Sequence, residues 1–241
     1  MLLPMTRNEP TEDLQARIQK KLHALAQDTT PLSPPPPPAH RTKITTTFWG
    51  NAWAKHIATL SPYLALFPRG RKLYRSGAIH HLAISPPHIH ALTSSDDLYE
   101  QTLTIHPLPQ QAWNHFLQLC QGQVTSVLDL LNGTIPPSIL TLLTDPENGL
   151  FPQPHEIIPC CNCPEYADIC EHSAAILYAL APMFDQDPAL FFALRQVHPE
   201  ELITASATAD PNQPASPHQL NLPTDSLNSL FQIELEEPDE F

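Results

Sequence analysis

The sequence predicts an α+β fold. It should hold a small antiparallel β-meander with helices and a cysteine-bearing β-hairpin plus helix, flanked by disordered Pro-rich and acidic segments. Three observations carry that reading. The β-rich runs SGAIHHLAIS, HIHALTS and LYEQTLTI follow one another between residues 76 and 105, separated by Pro86-Pro87 and Asp96-Asp97. On both sides of them, apolar residues recur at helical spacing. Finally, 29 of the 241 residues are proline, about 12% against a usual level of roughly 5%, which calls for long irregular connections.

Taken in order, residues 11–28 place Leu14, Ile18, Leu22 and Leu25 on one face of a helix, with acids in its first turn. The five prolines Pro34 to Pro38 then form an extended spacer, a linker first and a docking site for a proline-binding module second. Folded structure resumes near Thr45, where FWGNAWAKHIATL makes a short helix turning Trp53, Ile57 and Leu60 inward. The three strands of the meander come next. Helices follow over Pro109 to Cys120, Val124 to Leu131 and Pro136 to Leu143, and a last helix over Pro188 to Arg195. From Thr204 the chain is rich in Pro, Ser, Asn and Asp and is expected to be disordered at least to Asp225.

Charge and cysteine usage narrow the function classes. MLLPM is too short for a signal peptide, and no window reaches the ~18 apolar residues of a membrane helix, so no membrane role is expected. The expectation is a cytoplasmic protein with reduced thiols. Four of its five cysteines lie between positions 160 and 170. In a reducing compartment such a cluster beside a histidine reads as metal ligands before disulfides.

The run CNCPEYADICEH has the form CxC, six residues, CxH. Residues two apart share one face of a strand, so Cys161 and Cys163 can aim two sulfurs at one point. A second such pair cannot lie inside a helix, where residues two apart diverge by about 200°. Cys170 therefore belongs just before a helix and His172 in its first turn, with the helix HSAAILYALAPMF behind them. The helix N-terminus favours the Cys170 thiolate. Three thiolates and an imidazole close a tetrahedron, the pattern of one structural Zn2+ per chain. The competing reading is a buried or reactive cysteine cluster without metal. Cys160 points away from Cys161 on a strand and is read as a free thiol, and Cys120 as core.

This spacing, with the alanine-rich helix after it, resembles the SWIM zinc finger. FWGNAWAKHI, LFPRGRKLYRSGAIHHLAIS, GLFPQPHEI and DPALFFALRQV extend the resemblance to bacterial SWIM zinc finger family proteins over residues 45 to 203. The resemblance implies Cys161, Cys163, Cys170 and His172 as ligands, and a module that binds DNA or proteins, often alongside Swi/Snf-type helicase ATPases. The organisation expected is an N-terminal helix (1–28), a Pro-rich linker (29–43), an α+β domain with the meander (44–145), the zinc finger and closing helix (146–203), and a disordered acidic tail with a short linear motif (204–241).

Three function classes follow. The net charge of −13 and the tail DSLNSLFQIELEEPDEF suggest an adaptor, with Leu227, Leu230, Phe231, Ile233 and Leu235 as the candidate partner-binding stretch unless they fold back on their own domain. Residues 41–75 hold seven Lys or Arg and no acid, interleaved with Trp49, Trp53, Tyr63, Phe67 and Tyr74. That mixture suits single-stranded nucleic acid, with Arg69, Arg71, Lys72 and Arg75 as candidate phosphate contacts, unless the aromatics are core. The finger is no help to it, since residues 154–200 carry seven acids against Arg195 alone. An enzyme is not expected, because the chain has no nucleophile elbow, P-loop or dinucleotide fingerprint. His88 and His90 share a strand face and could begin a second metal site, though surface histidines are commoner.

Overall fold

The computed structural model describes residues 12–27, 44–60, 63–121, 123–124, 126–134, 136–145, 148–165 and 169–203. The segments expected to be disordered, 29–43 and 204–241, lie outside these residues. The architecture is α+β. Helix α1 (Glu12–Gln27) precedes α2 (Phe48–Thr59) and α3 (Phe67–Arg75). Strands β1 (Ile79–Ser85), β2 (His88–Ser94) and β3 (Leu98–Ile105) follow. Then come α4 (Gln110–Leu119), α5 (Val127–Asn132), α6 (Pro137–Leu143), β4 (Ile157–Cys161), α7 (Glu171–Gln186) and α8 (Ala189–Arg195). No helix among the described residues is long and apolar enough to cross a membrane.

The meander has a fourth strand. All neighbours pair antiparallel in the order β1-β2-β3-β4, so the strand carrying the first cysteines is hydrogen-bonded to β3. A separate finger hairpin was expected, but among the described residues β4 has β3 as its partner. The register explains which side chains turn inward. Ile89 faces Leu103, Leu82 faces Ala91 and Ile105 faces Ile157, and this face joins the main core. The other face carries His88, His90, Thr102, Thr104, Ile158 and Cys160. Across part of it lies α1, with Leu14 and Ile18 buried and surface ion pairs from Arg17 to Asp97 (2.6 Å) and Lys21 to Glu100 (2.7 Å).

The edge of β4 is blunted. His106 N–H donates to Glu156 O and Asn162 N–H to Glu100 O, so even-numbered residues of this stretch turn their backbone groups to β3. Pro159, opposite Leu103, therefore sits where a residue would turn its N–H outward, and it has none to offer.

Behind the sheet, α7 is the central helix, and twelve of its sixteen residues are buried. It packs against α2 and α3. The approach of α3 depends on Gly70, where a Cβ would come within 2.5 Å of Ala174 Cβ and 2.8 Å of its backbone carbon. On α2, Trp53 donates its indole N–H to Leu177 O (2.7 Å) and packs edge-on against Phe184. Trp49 packs against Phe191 and Phe192 of α8. The core thus runs from Ile44 to Leu202.

Two polar anchors lock these layers. Near the C-terminal end of α7, the Asp185 carboxylate accepts from Thr46 N (2.6 Å), Thr47 N (3.1 Å), Thr47 Oγ1 (2.5 Å) and Gly50 N (3.1 Å). Thr47, the N-cap residue of α2, makes no side-chain cap of its own, so Asp185 supplies the cap from across the fold. The second anchor is Arg195, buried at 1% exposure, which donates to His106 O (2.6 Å) and Glu156 Oε1 (2.9 Å). Glu156 in turn accepts from Gln153 N (2.7 Å), which fixes the chain entering β4.

Candidate metal centre

Two elements bring the site together, one from each side. From the sheet, Cys161 is the last residue of β4 and lies on the inner face with Pro159 and Ile157. Asn162 prolongs the pairing, accepting from Glu100 N at its side-chain oxygen (3.0 Å). Cys163 follows one residue past that, beyond the strand's end rather than inside it, where a strand had been expected. Cys160 is exposed on the opposite face, as strand alternation requires.

From the other side, Cys170 is the N-cap of α7, with extended backbone angles (φ −103°, ψ 172°). Its Sγ accepts from Ser173 N (3.4 Å) and lies 3.4 Å from Ser173 Oγ. His172 is in the first turn and is 4% exposed. Both placements match the geometric argument from the CxH spacing.

Cys161, Cys163, Cys170 and His172 each turn one donor atom inward, and all four atoms lie within 4.8 Å of one another. Around a zinc ion with Zn–S bonds of about 2.3 Å, sulfurs stand roughly 3.7 Å apart, so a small contraction suffices for tetrahedral coordination. The electrostatics point the same way. The Cys170 thiol is pulled down to about 3, first by a hydrogen bond from Cys161 and against the effect of burial, with further help from His172 and Ser173. Cys161 is pushed up, by that same bond and then by burial, and Cys163 is pushed up chiefly by burial. One thiolate is thus held by neighbouring protons that a metal cation can replace. Buried His172 Nδ1 has no hydrogen-bond partner, an unusual state for a buried polar atom and the state expected of a ligand lone pair. The residues present fit a soft divalent metal ion.

The other candidates separate cleanly. Arg69, Arg71, Lys72 and Arg75 are all exposed on α3, a helix that the sequence pattern does not mark. Trp49, Trp53, Phe67 and Tyr74 are buried in the core, so these four rings cannot stack on bases. His88 and His90 each engage a threonine through Nδ1, Thr104 at 3.0 Å and Thr102 at 3.2 Å. Among the described residues they gain no third ligand. Cys120 is fully buried, as expected, and burial pushes its thiol up to about 12. Leu227, Leu230, Phe231, Ile233 and Leu235 lie outside the described residues.

Sequence reasoning missed three residues beside the histidine. Ser95 Oγ lies 3.0 Å from His172 Nε2 and donates to Asp96 Oδ1 (2.8 Å), to which Tyr99 also donates (2.8 Å). The Tyr99 ring packs 4.5 Å from the imidazole. The only signal at Ser95-Asp96-Asp97 was that of a turn.

No family model and no solved structure matches this chain. A protein of Mycobacterium tuberculosis, the uncharacterized protein Rv2102, is similar: 31% identical over 171 residues, 68% of this chain. The matched part spans 62% of that relative's length.

Proposed function

We propose that this chain is a zinc-binding protein of SWIM type that acts as an interaction module rather than as an enzyme. The observation that carries the reading is the gathering of three cysteines and a histidine within 4.8 Å, delivered by a strand end and a helix cap. Thiolate and imidazole donors select zinc over hard cations such as magnesium. Four protein donors leave no coordination position for water, so the metal's role is to hold β4 against α7. The SWIM assignment is supported by the CxC-x6-CxH spacing and the helix that starts at its third cysteine. A cytoplasmic location agrees with five unpaired thiols. A protein partner such as a Swi/Snf-type helicase ATPase is what the resemblance suggests. Metal analysis of the purified full chain tests the core of this reading: one zinc per chain is expected, and an intact fold with none overturns it. For the partner, deletion of residues 225–241 is expected to abolish its co-purification from cells.

A second reading has its own observation. The exposed side of α3 presents Arg69, Arg71, Lys72 and Arg75 while its buried side, Phe67, Gly70 and Tyr74, anchors it. This is a phosphate-contacting surface without base stacking, so binding there should be indifferent to sequence and steeply dependent on salt. Replacing Arg69 and Arg71 with alanine should flatten the log–log salt slope by about two. An unchanged slope removes the reading.

A further inference from the structure

The metal donors come from residues 161–172, but the group that aims the histidine comes from the β2–β3 turn, 77 residues earlier. We infer that Ser95 is a positioning residue for the metal: with Asp96 behind it, it locks His172 in the Nε2–H tautomer, making Nδ1 the metal-binding atom. The inference rests on the zinc reading above and adds the ligand atom and its support.

Counting protons leaves one arrangement. Asp96 is a carboxylate and can only accept. Both Ser95 Oγ and Tyr99 Oη lie 2.8 Å from its Oδ1, so each hydroxyl spends its single hydrogen there. Ser95 then has only lone pairs to turn toward His172 Nε2 at 3.0 Å, and Nε2 must carry the hydrogen between them. A neutral imidazole with its proton on Nε2 has its lone pair on Nδ1, the buried atom without a partner. The Tyr99 ring, 4.5 Å away and tilted by 47°, leaves the imidazole little freedom to turn over. Hydrogen-bonded support of this kind behind a ligating histidine fixes its orientation and raises its basicity, and its loss costs roughly 10–100-fold in metal affinity.

The test uses the full chain loaded with zinc. Long-range nitrogen–proton correlation spectra should show His172 protonated on Nε2 and metal-bound through Nδ1. Competition with a chromophoric chelator should show zinc held about 10–100-fold more weakly by Ser95→Ala and at near wild-type strength by Ser95→Thr, which restores the hydroxyl. Metal bound through Nε2, or Ser95→Ala with wild-type affinity, overturns the inference while leaving the zinc reading intact. If Ser95→Ala does not fold, the spectrum of the wild-type protein alone decides. A wild-type chain that takes up no zinc defeats the zinc reading first, and this inference with it.

Discussion

The two ends of α7 solve one problem with different chemistry. At the C-terminal end, Asp185 gathers backbone and hydroxyl donors from Thr46, Thr47 and Gly50, and every partner is already in the chain. At the N-terminal end, Cys170 and His172 meet Cys161 and Cys163 as four electron-pair donors within 4.8 Å of one another. One junction is complete by itself; the other carries a donor set that could hold a metal ion. The contrast teaches that burial supplies adhesion along a helix while its two ends can be tied down by different chemistry, a carboxylate with its own donors at one and a donor set fit for a metal at the other.

Metal removal is the largest way to break this comparison. Structural zinc sites contribute about 10–16 kcal/mol at neutral pH. Chelation, or Cys163→Ser, should therefore strip hydrogen-exchange protection from the first turns of α7 while amides near Asp185 hold theirs longer. Cys160→Ser should leave zinc content unchanged, because that thiol faces the opposite side of the sheet. Equal loss of protection at both ends of α7 would dissolve the distinction.

Asp185→Ala attacks the other end. It strands the amides of Thr46, Thr47 and Gly50 and removes the side-chain cap from the N-terminal end of α2, at a cost of about 2–3 kcal/mol by denaturant unfolding. Zinc stoichiometry should not change. Gly50→Ala is a gentler version. Its Cβ would fall 2.2 Å from Asp185 Oδ1 and 2.6 Å from Ala181 O, so the junction must open by overpacking, costing roughly 1–3 kcal/mol. Both variants should lower the midpoint of unfolding without altering metal affinity.

The smallest expected effect is that of acid on groups away from either junction. Burial lowers the pKa of His56, His80 and His81 below their ordinary 6.5. The unfolded chain then binds more protons than the folded one as pH drops below 6.5, so stability is full above that value and declines beneath it. For His56, which accepts this burial in exchange for a 2.8 Å bond to Pro152 O, substitution by glutamine should flatten the decline between pH 6.5 and 5 at constant zinc content. A slope unchanged in His56→Gln would assign the acid sensitivity to the metal donors instead.

Much of this was legible in the sequence, and the reasons are local. Alternating β-rich runs between turn residues mark β1, β2 and β3, and the CxH spacing by itself puts Cys170 at a helix cap and His172 behind it. What escaped was set by distant partners. Nothing local marks Pro159 as part of a strand, because β4 is held by its pairing with β3 across more than fifty residues. Helix α3 hides behind Pro68 and Gly70, which lower helix propensity in isolation; Pro68 opens the helix, and Gly70 is there for the contact with Ala174. Ser95 and Tyr99 look like turn and strand residues until His172 is placed beside them.

Pro159 also makes β4 a poor edge for another strand to join. A sheet whose last strand offered an unbroken row of donors would invite the same strand of another molecule, and crowded chains would ladder into ribbons. Here a second copy sliding alongside β4 finds the middle rung empty and a pyrrolidine ring where the amide should be. Ladder growth by that edge loses its central hydrogen bond.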